Sequence, residues 1–351
     1  MCESKEKIPI IRVKETTDKA KYEFLRSYFT RWNQITKYNP RVIIDTHAGS
    51  GKVEYLKEKN VFGEKQIEDI YGSPLLAILK TLTISKDLTI ILNEKNKERY
   101  DELKKYIDNF EENGIPIFQK KQDKYVYKSL KTGRKRKAQI SKLERIFPEK
   151  FGLKPPKGYY LTREFTNAKI YLYNKDIEAI IDEIILKYLK IIEEDKNSIK
   201  PIALFFVDPC GMIGWNEVIE KICKRSKKKE GTELILNWSW EAIIRNLNTD
   251  YKNSVLSKIY GIPISKINEV FNEIEIIEFL NMYVKKLRKY FKFVEIIGVP
   301  RERRFKPRLS KHRKYFLLYC TNNESGRSLA GYKAQIIRER IIGFKDIRKF
   351  A

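Results

Sequence analysis

The chain predicts an α/β protein with a mainly parallel sheet under helices and a late antiparallel strand pair. Three observations predict this. Strand-like apolar runs alternate with helical stretches through most of the sequence. Ile202 to Val207 (IALFFV) is almost wholly apolar, as a strand buried on both faces must be. Two β-rich runs, Phe293 to Val299 and Tyr315 to Thr321, then follow one another with no helix between them.

The elements follow in order. Thr17 to Tyr38 places Tyr22, Leu25, Tyr28, Phe29 and Trp32 at helical spacings, and Asn39-Pro40 ends the helix. Val42 to Val53 reads VIIDTHAGSGKV, a β-branched strand ending in Asp45 and then a turn of small residues. Ala48, Gly49, Ser50 and Gly51 let a backbone approach a ligand closely, and a helix start after the turn would aim free N–H groups at it. Tyr71 to Leu82 predicts a helix with Ser73 as N-cap and Pro74 at its first position. Leu88 to Leu92 is a second strand closing in Asn93-Glu94, and Lys97 to Phe110 a charged helix. Lys169 to Tyr173 is a strand ending in Asn174-Lys175-Asp176, and Ile177 to Ile192 a helix. The strand at 202–207 runs into Asp208-Pro209-Cys210-Gly211, followed by a helix around 216–225 and a strand over 233–238. The pattern from Thr249 to Tyr290 is helical. One domain over 1–351 is expected, with a basic insertion at 111–168 and a helical one at 249–292.

A chain of 351 residues with 42% hydrophobic and 12% aromatic residues excludes a disordered protein. No apolar run is long enough for a membrane span, and the first residues lack a signal-peptide core, so a cytoplasmic protein is expected. Four scattered cysteines and two histidines suggest neither a disulfide framework nor a metal site. The net charge of +26 is concentrated. Fifteen basic residues against three acidic ones fall between Lys120 and Arg163, and eight against one between Arg301 and Lys314. Tyrosines and phenylalanines interleave the first segment, a composition suited to phosphate contact and base stacking. Arg134, Lys135, Arg136 and Lys137 in the first, with Arg303, Arg304, Arg308, Lys311 and Arg313 in the second, are the expected nucleic-acid contacts.

Open α/β sheets bind ligands beyond the carboxyl ends of their strands, where four of these strands end in polar residues. Glu94 is placed to bond ribose hydroxyls, the alternative being a solvated charge. Asp176 is placed to accept from an adenine amino group, the alternative being a helix N-cap. Asp45 is placed to bond the glycine loop or a cofactor's amino-acid portion. His47 reads as a packed polar neighbour of the loop rather than a base.

The D-x-x-A-G-S-G spacing at 45–51 resembles motif I of S-adenosylmethionine-dependent methyltransferases. A wider set of motifs resembles the three-Cys-motif partner (TcmP) family. They are the opening helix with Thr17, Lys19, Lys21, Tyr28 and Trp32, DTHAGSG at 45–51, GSPLLA at 72–77, FFVDPCGMIGW at 205–215, ELILNWSWEAIIR at 233–245 and YFLLYCTNNESG at 315–326. The resemblance implies a Rossmann-like class I methyltransferase fold with a seven-stranded sheet, S-adenosylmethionine as cofactor and a protein partner bearing a three-cysteine motif. It implies cofactor contacts from Asp45, His47, Ala48, Gly49, Gly51, Glu94 and Asp176. The family pattern D-x-F-A-G-P-G and D-P-P-G is replaced here by His47, Ser50 and Cys210.

Asp208, Pro209 and Cys210 are the candidate catalytic residues. A D-P-P-Y sequence orients an exocyclic amine and stacks its aromatic on an extruded base. Here Gly211 replaces that aromatic, leaving Trp215 or Trp238 as stacking surfaces. Cys210 reads alternatively as a nucleophile toward a pyrimidine ring, or as a small buried residue in place of proline. Asn237, Trp238, Ser239 and Trp240 line an acceptor pocket or pack the core. The expected activity is methyl transfer to a DNA or RNA base. The alternative is a catalytically silent nucleic-acid-binding subunit of a modification or repair complex.

Overall fold

The computed structural model describes residues 12–13, 16–56, 67–81, 88–120, 159–164, 168–189, 201–209, 211–228, 231–239, 242, 243, 245, 251–267, 269, 276–300 and 313–337. They form two compact units, one drawn from 1–103 and 168–351 and the other from 104–167. In chain order the elements are β1 (Arg12–Val13), α1 (Thr16–Thr36), β2 (Arg41–Asp45), β3 (Lys52–Leu56), β4 (Ile67–Tyr71) and α2 (Ser73–Thr81). Next come β5 (Leu88–Asn93), α3 (Lys97–Asn113), β6 (Ile115–Lys120), β7 (Tyr159–Glu164), β8 (Lys169–Tyr173), α4 (Ile177–Leu189) and β9 (Ile202–Val207). A π-helical turn (Trp215–Ile219) leads into α5 (Glu220–Lys228), then β10 (Thr232–Trp238), α6 (Lys252–Tyr260), a 3-10 turn (Ile264–Lys266) and α7 (Ile276–Arg288). The chain closes with β11 (Phe293–Pro300), β12 (Arg313–Thr321) and α8 (Glu324–Ile337).

The principal sheet has seven strands in the order β11-β12-β10-β9-β2-β5-β8. The five from β8 to β10 are parallel, and β12 runs antiparallel to both β10 and β11. This is the Rossmann-like arrangement with a terminal antiparallel pair that the sequence predicts. The chain starts in the middle at β2, builds outward through β5 and β8, and crosses back to β9 on the other side. The strand order therefore reverses between β2 and β9, the place where such sheets bind ligands.

Alternation along the strands explains the two buried faces. Val42, Ile44, Ala203, Phe205, Val207, Leu234, Leu236 and Trp238 pack with residues of α4, the π turn, α5, α6 and α7. The intervening residues turn to the other face, where Arg41 donates to the Asn33 carbonyl and Tyr28 donates to Glu233, both from α1. Tyr28 Oη lies 2.5 Å from Glu233 Oε2 and 3.0 Å from Tyr319 Oη. Burial raises the Glu233 carboxyl to about 7, against the hydrogen bonds it receives from Tyr28 and its other neighbours.

Four features depart from the sequence reading. The glycine turn is followed not by a helix but by β3, which pairs with β4 antiparallel and β1 parallel in a small sheet. The excursion ends where it began, because Gly72 donates its N–H to the Gly51 carbonyl at 2.8 Å. A side chain at Gly72 would meet that carbonyl oxygen at 3.0 Å, so glycine lets α2 start against the loop. The basic stretch after residue 111, read as aperiodic, holds the antiparallel pair β6-β7. Helix α8 has no counterpart in the reading, although Asn323 caps it by accepting from Ser325 N at 2.8 Å. The helix expected around 216–225 begins instead with a π-helical turn over 215–219.

No helix among the described residues is long and apolar enough to cross a membrane.

Candidate active site

The glycine loop sits at the carboxyl end of β2, in register with Leu92 on one side and Phe206 on the other. Three hydrogen bonds donated by its backbone N–H groups fix it. Thr46 N donates to the Phe206 carbonyl at 3.0 Å and Ala48 N to the Asn93 carbonyl at 2.8 Å. Gly49 N donates to Glu94 Oε2 at 2.8 Å. Gly49 and Gly51 have φ of 67° and 88°, which residues with a Cβ adopt only at a cost. A Cβ on Gly51 would also press Leu103 and Leu75 at 3.2 and 3.3 Å.

Glu94 is thus a strut of the loop, its other oxygen accepting from Asn96 N at 2.8 Å. Two of its roughly four lone-pair directions are used by these N–H groups. Asp176 stands beyond β8, where Lys95 donates to its Oδ2 at 2.6 Å and lowers its pKa. Asp176 Oδ1 also accepts from Glu178 N at 3.1 Å, so the side chain caps α4.

Asp45 is 1% exposed. Its Oδ1 accepts from His47 N at 3.2 Å, while Oδ2 makes no hydrogen bond to any described residue. Burial raises its pKa to about 7, opposed by the nearby Ser73 hydroxyl and the His47 N–H and reinforced by the carboxylates of Asp208 and Glu94. Asn93 Oδ1 is likewise a buried acceptor without a partner among the described residues. Its amide nitrogen donates to the Thr46 carbonyl at 3.1 Å. His47 Nδ1 lies 2.7 Å from Thr46 Oγ1, and burial lowers the imidazole pKa despite the surrounding carboxylates, with Asp208 the strongest.

Asp208 follows β9 and is gripped from both sides. Lys21 of α1 donates to Oδ2 at 2.8 Å, and Asn237 at the end of β10 donates to Oδ1 at 2.5 Å. The side chains of Lys21 and Asp208 are 8% and 14% exposed. Lys21 is the functional residue that reading by motif alone leaves without a role. Its signal lies in the helix pattern, since Lys21, Leu25, Tyr28 and Trp32 share one face and a lysine on an apolar stripe needs a buried counter-charge. Asn237 Oδ1 has no hydrogen-bond partner among the described residues. Pro209 is buried, and a Cβ on Gly211 would meet nothing within 4 Å.

The structure corrects the stacking surfaces. Trp215 is 2% exposed, wedged against Tyr283 and Tyr290 under the Lys286 ammonium. Trp238 is 4% exposed and packs on Tyr283 and Phe316. Strand alternation is the reason, because Asn237 faces Asp208 while Trp238 faces the opposite layer. Neither indole reaches a base beside Asp208. Cys210, Trp240, Arg134, Lys135, Arg136, Lys137, Arg303, Arg304, Arg308 and Lys311 lie outside the described residues, and Arg313 is described only as the first residue of β12.

No family model matches the chain, and no curated protein matches it either. Among solved structures, the chain is similar to protein LPL1258 of Legionella pneumophila, of family DUF519, at 12% identity and a TM-score of 0.46, covering 91% of each chain. Human methyltransferase-like protein 13 in complex with SAH aligns at 8% identity and a TM-score of 0.38, over 95% of this chain and 96% of that one. The plantazolicin methyltransferase BpumL in complex with SAH aligns at 12% identity and a TM-score of 0.29, over 87% of each.

Proposed function

We propose that the chain is an S-adenosylmethionine-dependent methyltransferase acting on a nucleic-acid base. The observation that carries this reading is the convergence of four features at the reversal of strand order. They are a left-handed glycine loop, the loop-bracing Glu94, the buried Asp45 and the clamped Asp208. The residues fit the cofactor. A side chain at Gly51 or Gly72 would crowd Leu103, Leu75 and the Gly51 carbonyl, so both positions favour bare backbone. Among the described residues the buried Asp45 Oδ2 and Asn93 Oδ1 accept no hydrogen bond, which leaves them for a ligand's donors. When bound, S-adenosylmethionine supplies a methyl group on a cationic sulfur.

The chain's own residues would divide the work. Gly49 and Gly51 give the ligand close approach to the backbone, and Asp45 holds its ammonium. Glu94 has acceptor capacity for ribose hydroxyls, and Asp176, beside Lys95, would accept from an adenine amino group. Asp208 accepts a hydrogen bond from the acceptor's amine and aims its lone pair. Lys21 and Asn237 keep that carboxylate in one orientation. The nucleic-acid assignment rests on the two basic clusters, whose net charge suits phosphates. The motif resemblance to the TcmP family supports a partner protein bearing a three-cysteine motif, and that partner belongs to this proposal.

A second reading, the catalytically silent subunit, is favoured by Gly211 standing where an aromatic residue would stack, with both tryptophans committed to the core. Incubating the full chain with methyl-tritiated S-adenosylmethionine and either total RNA or sheared genomic DNA separates the two. Methyl transfer predicts acid-precipitable label in one pool, reduced roughly 100-fold by Asp208→Asn, the scale for losing one positioned polar group. Cofactor binding with label in neither pool selects the silent subunit.

A further inference from the structure

Asp45 combines three properties that a loop-bracing carboxylate does not need. It is 1% exposed, one oxygen lacks any hydrogen bond among the described residues, and it shares its surroundings with two further carboxylates. Glu94 faces it from the end of β5 and Asp208 from the end of β9, both adding negative potential. On its own loop His47 offers a backbone N–H, and the imidazole is held toward its neutral form. Ser73, at the start of α2, hydrogen-bonds the carboxyl through its hydroxyl and, like the His47 N–H, favours the ionised form against burial. Lys21, which reaches this group of carboxylates at Asp208, is engaged there. A buried carboxyl so placed favours its neutral form until a cation arrives.

We propose that Asp45 is the proton-linked element of the cofactor site, holding a proton in about half of the free molecules at neutral pH and ionised in all of them once the cofactor's ammonium group enters. The proposal rests on the methyltransferase reading and deepens it. The proton balance is simple. The O–H bond of the Asp45 carboxylic acid breaks, the proton passes to the buffer, and the carboxylate accepts an N–H of the incoming ammonium, which keeps its own protons. Net charge at the site is then unchanged by binding that group, which is why a buried location can tolerate it. With a free-state pKa of about 7, the ionised fraction of Asp45 rises about tenfold between pH 6 and pH 8. Affinity rises by the same factor, because only the ionised form binds well.

The test is calorimetric titration of the full chain with S-adenosylhomocysteine, which carries the ammonium group without the cationic sulfur. Titrations in phosphate and in Tris, whose heats of ionisation differ, read the protons released. The expected result is release of about half a proton per ligand at pH 7, with affinity about tenfold tighter at pH 8 than at pH 6. Asp45→Asn should bind more weakly, with the buffer dependence and the pH dependence both lost. Should that variant fail to fold, a carbon-13 carboxyl titration of the wild-type protein with and without ligand reads the same group. Its midpoint should fall below pH 6 on binding. Ligand binding with no proton release, or release that survives in Asp45→Asn, overturns the proposal and leaves the methyltransferase reading standing. Absence of any binding heat overturns both.

Discussion

Replacing Lys21 with methionine is expected to destabilise the protein by about 3 kcal/mol, the low end of the cost of removing one partner from a buried ion pair. Both side chains are largely screened from water, at 8% and 14% exposure, so the Coulomb attraction is not diluted as it is between surface charges. The methionine fills most of the space of the lysine stem, which leaves the unmatched Asp208 carboxylate as the main loss. The double variant Lys21→Met with Asp208→Asn should recover most of that stability, because no uncompensated charge remains. Urea unfolding of the four proteins in this cycle measures the coupling. A single variant within 0.5 kcal/mol of wild type would show that Lys21 does not hold Asp208. A double variant no better than the single one would place the cost in packing instead.

Removal of the Glu94 carboxylate should weaken cofactor binding together with the loop that it braces. Its two oxygens accept from Gly49 N and Asn96 N, both at 2.8 Å, and hydrogen bonds to a charged acceptor are each worth about 1.5–3 kcal/mol. In Glu94→Ala the Gly49 N–H loses its acceptor, and the loop is no longer tied to the end of β5 through that residue. An affinity for S-adenosylhomocysteine lowered at least 100-fold is expected, equivalent to about 3 kcal/mol. Glu94→Gln should fall between the two, since one amide oxygen can still accept while its NH2 opposes a backbone N–H. An affinity within threefold of wild type for Glu94→Ala would remove Glu94 from the site.

The sheet was legible because its strands are apolar and β-branched and its ligand-side ends are polar. Ile202–Val207 and Lys169–Tyr173 coincide in sequence and structure, and β2, β5 and β10 differ from their expected limits by no more than one residue at either end. The β3-β4 excursion was not legible, because its strands carry charged residues (Lys52, Glu54, Glu68, Asp69) and its position is set by a backbone bond from Gly72 to Gly51. The site divides along the same line. Local sequence placed Asp45, Glu94 and Asp208 at strand ends, since each follows its own apolar run. Partnerships across long sequence separations were out of reach, above all those of Asp208 with Lys21 and with Asn237. The fate of Trp238 was decided by strand alternation, which turns it away from Asn237, its immediate neighbour.

The most direct test of the account is a calorimetric titration of the full wild-type chain with S-adenosylmethionine at pH 8. Saturable binding at one molecule per chain is predicted. No heat at millimolar ligand would contradict the assignment of the loop, Asp45 and Glu94 to a cofactor site, and with it the methyltransferase reading.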